Sequence, residues 1–158
     1  MAPTAAIEKQ TFGHLPDGTP ITCCTLRNGN QMMVKICSYG GAILELQAPD
    51  KKGALDNLVL GYDTLEAYIE DPNYFGALIG RYANRIAGGR FSIHGNAFQV
   101  PRNEGQNHLH GGYIGFNKKV WEMDILPGGD GLMQSDRGLH SCRGAGIVHH
   151  QRDSQNIF

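Results

Sequence analysis

Gln10-Thr11-Phe12-Gly13-His14-Leu15-Pro16-Asp17-Gly18-Thr19-Pro20-Ile21-Thr22-Cys23-Cys24-Thr25-Leu26 carries the clearest strand–turn–strand pattern in the sequence. Two runs, residues 10–15 and 21–26, carry β-branched and apolar side chains on either side of Pro16-Asp17-Gly18-Thr19. Proline presets φ, aspartate bonds its own following backbone and glycine reverses the chain, so the pattern predicts a β-hairpin. Asn28-Gly29-Asn30 turns the chain again into residues 31–37, where Met32, Val34 and Ile36 alternate with more polar neighbours. Gly40-Gly41 opens a further strand over residues 42–48, and Asp50-Lys51-Lys52-Gly53 is a polar loop.

Continuing outward, residues 57–62 read as a short buried strand, and one brief helix follows. Asp63 is its expected cap, Glu66 stands at the capping-box position, and Asp71-Pro72 ends it. Residues 75–79, 88–93 and 97–100 are the next strand candidates, with His94-Gly95-Asn96 as a turn, and residues 120–125 are the last. So many short strands at hairpin spacing, with one short helix, predict an all-β antiparallel sandwich or barrel.

Composition agrees. The chain has 158 residues, the size of one domain, with 41% hydrophobic and 18% charged residues. Its 22 glycines, about twice average usage, show no collagen-like period and argue for many turns. Fourteen Lys and Arg against fifteen Asp and Glu leave no basic stripe, which argues against nucleic acid or an anionic membrane as partner. No apolar run approaches the ~20 residues of a membrane span, and the first residues lack the pattern of a signal peptide. Cys23, Cys24, Cys37 and Cys142 have no CxxC spacing and read as reduced thiols in a cytoplasmic protein.

The character changes near Leu126, dividing the chain into residues 1–126 and a divergent tail, residues 127–158. The last 32 residues hold six glycines, three histidines and only nine hydrophobic residues. They offer little burial to offset ordering entropy, so the tail is expected to be largely disordered.

Phosphate-loop, zinc-helix and nucleophile-elbow patterns are missing. The chemistry concentrates instead in residues 80–86, Gly-Arg-Tyr-Ala-Asn-Arg-Ile, and in residues 103–112, Asn-Glu-Gly-Gln-Asn-His-Leu-His-Gly-Gly. On a strand, His108 and His110 would point the same way and offer two imidazoles to a metal, but no third ligand is spaced to join them. The alternative is one exposed loop histidine and one that hydrogen-bonds a turn. Arg81 and Arg85 likewise allow two readings. Each bonds backbone carbonyls or a loop carboxylate, or one guanidinium faces a polar cleft to bind hydroxyls or a carboxylate.

The run Phe75-Gly76-Ala77-Leu78-Ile79-Gly80-Arg81-Tyr82-Ala83-Asn84-Arg85-Ile86 resembles a signature of aldose 1-epimerases, the galactose mutarotases. So does Asn107-His108-Leu109-His110-Gly111-Gly112-Tyr113-Ile114-Gly115-Phe116-Asn117-Lys118 with Val120-Trp121, although Asn117 stands where the family more often has aspartate. The resemblance spans roughly residues 8–126.

It implies a large antiparallel β-sandwich, of which this chain is about the N-terminal half, that binds galactose, glucose or a similar aldose in a shallow polar cleft. The implied reaction interconverts α and β anomers without metal or organic cofactor. A base takes the anomeric proton, an acid protonates the ring oxygen, and the opened ring recloses on the other face. By resemblance Arg85, with Asn84 beside it, contacts sugar hydroxyls, and His110 lies near the sugar and assists catalysis. His108 receives no role. The histidine acid, the glutamate base and a sugar-binding aspartate of the family belong beyond the matching stretch, so catalysis is expected to be impaired in these residues. The compositional break past Leu126 reads as the mark of a frameshift, a retained intron or a truncated reading frame. Unpaired strand edges predict self-association. The competing readings are a carbohydrate-binding remnant without catalysis and an epimerase of hexose 6-phosphates.

Overall fold

The computed structural model describes residues 6–124 and 148–151. The hairpin forms as read. β1 (Ala6–His14) and β2 (Pro20–Arg27) run antiparallel around the 16–19 turn, where the Thr19 amide donates to Asp17 Oδ1 at 2.9 Å. β3 (Met33–Cys37), β4 (Ile43–Pro49) and β5 (Leu55–Asn57) continue the meander into a five-stranded antiparallel sheet in the order β1-β2-β3-β4-β5. Asn28 and Asp50 close two of its turns by accepting backbone N–H groups, Asn28 from Asn30 and Met32, Asp50 from Lys52 and Ala54.

One face of this sheet carries the core. Ile21, Cys23, Cys37, Tyr39, Ala42 and Leu44 pack with Leu65 and Tyr68 of the single helix α1 (Leu65–Glu70). Gly13 permits the contact, because a Cβ there would stand 3.0 Å from Leu65 Cδ2. Ile21 and Leu65 are 0% and 2% exposed, and burying such a side chain contributes about 1.5–3 kcal/mol. Lys118, at the end of the second motif stretch, ties that stretch to this helix. Its Nζ donates to the carbonyls of Tyr68, Ile69 and Asp71 at 3.4, 2.5 and 3.3 Å, a cation on the helix C-terminus where the dipole is negative.

Cys23 and Cys37 lie directly opposite each other in the β2–β3 register. The Cys23 thiol is pushed up by its hydrogen bond to Cys37 and by burial, while the bond it accepts holds Cys37 down. Cys23, Cys24 and Cys37 are all free and buried. Cys142 lies outside the described residues.

Three expectations need correction. Residues 57–62 are not a buried strand: β5 ends at Asn57, whose Oδ1 accepts the amides of Leu46 and Val59, and Leu58 and Leu60 are exposed. Residues 75–79 are irregular, since Tyr74 and Gly76 adopt φ of 60° and 63° and break the pleat. Thr64, not Asp63, caps α1, accepting the Ala67 amide at 3.4 Å.

The remaining strands are short pairs. β6 (Arg85–Ile86) pairs with β9 (His108–Leu109), β7 (Arg90–Ile93) with β8 (Asn96–Gln99), and β10 (Trp121–Asp124) with β11 (Val148–Gln151). The architecture is all-β and antiparallel. The proposed boundary at Leu126 and most of the 127–158 tail lie outside the described residues; of that tail, residues 148–151 form β11.

Candidate functional site

The two motif stretches meet at the β6–β9 pair. Register sets Arg85 opposite Leu109 and Ile86 opposite His108. Next to this ladder Asn84 and His110 lock reciprocally: the His110 amide donates to the Asn84 carbonyl at 3.1 Å, and the Asn84 amide donates to His110 Nδ1 at 2.9 Å. Both residues take positive φ, 65° and 52°. The chain therefore leaves the ladder on both sides and brings the imidazole back over the Asn84 amide.

That bond settles the ring. Nδ1 accepts, so the neutral imidazole carries its proton on Nε2. The edge-on ring of Tyr74, with centroids 4.9 Å apart, braces it from the side. Gly111, at φ 89°, follows at once because a Cβ there would run into the Gly80 carbonyl oxygen. A hydrogen bond from the Phe116 amide to the same carbonyl at 3.1 Å draws residues 110–116 against the first motif.

Arg85 bonds a loop carboxylate, the first of the two readings of its side chain. Its Nε lies 3.1 and 2.9 Å from the two Glu104 carboxylate oxygens, Nη2 pairs with Glu104 Oε1, and Nη1 approaches Asn84 Oδ1 at 3.4 Å. It is also solvent-facing, with side-chain exposures of 52% for Arg85 and 37% for Glu104. The hydrogen bond to Arg85 is the main cause that holds the Glu104 carboxyl below the usual carboxylate range. Arg81 is exposed and sits over the Phe116 ring, 5.7 Å from its centroid. Tyr82, Tyr113 and Ile114 are exposed nearby in sequence.

His108 does not join His110. It is 6% exposed and its Nδ1 lies 2.8 Å from the Pro101 carbonyl oxygen, an acceptor only, so Nδ1 carries a proton there. The two imidazoles thus serve different partners: His108 bonds a loop carbonyl, and His110 is half-buried rather than exposed. Among the described residues no group of three His, Cys, Asp or Glu side chains is placed to hold a metal. Sequence reading passed over Glu104 and Tyr74. For Glu104 a signal existed: it is the one carboxylate in residues 103–112, close to where an arginine needed a loop partner.

The family model for aldose 1-epimerase matches residues 22–132. Galactose mutarotase of Mus musculus is 40% identical over 124 residues, covering 78% of this chain and 36% of that protein. Aldose 1-epimerase of Escherichia coli K12 is 38% identical over 151 residues, covering 90% of this chain and 42% of its own length. The crystal structure of galactose 1-epimerase from Lactobacillus acidophilus superposes with a TM-score of 0.67 at 27% identity, over 79% of this chain and 36% of that one. The matched stretch thus covers 36% and 42% of these two curated relatives, less than half of their length. A match of this extent, running through both motif stretches and supported by a shared architecture, shows that the chain belongs to the aldose 1-epimerase family.

Proposed function

We propose that residues 80–112 form the aldose-binding part of a mutarotase site, with Arg85 and Asn84 engaging sugar hydroxyls and His110 donating from Nε2 to a sugar oxygen. The reciprocal Asn84–His110 lock carries this reading, because it holds a neutral imidazole of defined tautomer beside an exposed guanidinium. The substrates are free aldoses such as galactose and glucose. The mutarotase and epimerase names of the relatives support that class.

His110 suits the donor half of the reaction. Nδ1 is already occupied as an acceptor, so the ring offers a proton at Nε2 and no lone pair for the anomeric hydroxyl. Glu104 is a poor base while Arg85 holds its carboxyl low. These residues therefore bind and orient an aldose, while anomer exchange by this chain stays close to the spontaneous rate. A hexose 6-phosphate is the less favoured substrate, because Glu104 already compensates the Arg85 charge. The free, buried thiols support a reducing, cytoplasmic setting. The sheet edges at β1 and β5 support self-association.

NMR exchange between galactose anomers, with amide spectra recorded in the same tube, tests both parts. Amide shifts at Asn84, Arg85 and His110 on adding galactose, with little acceleration, are expected. Marked acceleration abolished by Arg85→Ala would overturn the impairment, and a folded chain whose spectrum ignores galactose would overturn the binding.

A further inference from the structure

We infer that Glu104 is the positioning residue of this aldose site, aiming the Arg85 guanidinium and cancelling its charge so that the site takes neutral rather than anionic sugars. The inference rests on the aldose-binding reading above and deepens it by giving Glu104 a positioning role.

The Arg85–Glu104 pair has little to do with holding the fold. Both side chains face solvent, and exposed ion pairs contribute little to stability. Its geometry is nonetheless specific. Glu104 takes the Nε–H and one Nη2 N–H side-on, and Asn84 Oδ1 lies beside Nη1. A guanidinium held along one edge cannot swivel, and its remaining Nη1 and Nη2 donors face away from Glu104 in the fork that matches two neighbouring oxygens.

Glu104 is itself anchored to the ladder that carries Arg85. Its amide and carbonyl exchange bonds with Asn107 at 3.1 and 2.8 Å, closing the 104–107 turn. Asn103 grips the adjoining strand from the other side, with Nδ2 donating to the Leu109 carbonyl at 2.9 Å and Oδ1 accepting the Leu109 amide at 2.8 Å. Leu109 is the register partner of Arg85. Loop and strand thus hold the Glu104 backbone in register with Arg85, and the carboxylate reaches the guanidinium from that fixed base.

Charge follows from the same pairing. An unpaired arginine in a cleft favours carboxylate or phosphate, whereas a paired one offers hydrogen-bond donors with its charge compensated, the requirement for hydroxyls.

The test uses the full chain and two probes, galactose and galacturonate, which differ in a hydroxymethyl against a carboxylate. In ligand-free protein the Arg85 Nε–H resonance, assigned by its loss in Arg85→Lys, should lie downfield and move upfield in Glu104→Gln. In the same variant galactose should bind about tenfold more weakly, as expected for loss of a charge-assisted hydrogen bond, while galacturonate binding holds or strengthens. Glu104→Ala should show the same reversal of preference with an unchanged amide spectrum outside the loop. Binding of galactose with the Nε–H signal and the preference both unaltered in the two variants would overturn this inference alone. Failure of the native chain to bind either sugar would overturn the aldose reading and this inference with it.

Discussion

The five-stranded sheet and the motif region are built on opposite plans. In the sheet, long antiparallel ladders present Ile21, Cys23, Cys37 and Leu44 to Leu65 and Tyr68, and the interior is apolar and closed. In the motif region the ladder between β6 and β9 is two residues long, and Asn84 and His110 stand in the left-handed region beside it. Side chains do there what backbone does in the sheet: Asn103 grips Leu109, His110 receives the Asn84 amide and Glu104 holds Arg85. The difference separates two duties. Burial pays for the fold, and polar bonds between exposed segments set the direction of a few donors.

If that division holds, a cavity in the sheet core should cost stability and nothing else. Leu65→Ala is expected to destabilise by about 2–5 kcal/mol, read by urea denaturation, with galactose affinity of the folded fraction unchanged. Gly111→Ala sits on the border between the two plans. It forces a side chain into positive φ and against the Gly80 carbonyl, so a loss of about 1–3 kcal/mol should accompany weakened sugar binding.

Arg85→Ala probes the opposite case. Affinity for galactose should fall about tenfold or more, as loss of charged hydrogen-bond donors implies, with the unfolding midpoint in place. A large drop in that midpoint would mean the arginine belongs to the fold after all.

The smallest effect concerns the thiol pair. Cys23 has its pKa raised above the ordinary thiol value of 9.0, so its stabilisation is complete below that value and is lost as pH rises further. Folded chains keep the proton that unfolded chains release. As pH rises above ~9, beyond the range where the oppositely shifted Cys37 acts, the denaturation midpoint should fall, and Cys23→Ala should flatten that dependence. An equally steep fall in the variant would assign it to other groups.

Turn chemistry explains why the sheet was readable in advance. Pro16-Asp17-Gly18 and Asn28-Gly29 act locally, so the strands on either side follow from neighbours in sequence. Residues 57–62 and 75–79 misled because apolar runs alone do not distinguish a strand from an irregular segment, and what decided them was the Asn57 side chain and the positive φ of Tyr74 and Gly76. The candidate residues Asn84, Arg85 and His110 were picked out by their motifs, and the structure brings them together. Their mutual geometry was not legible, because the tautomer of His110 depends on an amide 26 residues away and the aim of Arg85 on a carboxylate 19 residues away.

The central claim is that the Asn84–Arg85–His110 cluster receives an aldose. The deciding experiment titrates galactose into isotopically labelled chain while following backbone amides and the arginine and histidine side-chain resonances. The account predicts saturable shifts centred on Asn84, Arg85, Glu104 and His110, with the β1–β5 sheet silent and His110 keeping its proton on Nε2. A folded chain with no saturable shifts, or with shifts centred on the sheet, would contradict it.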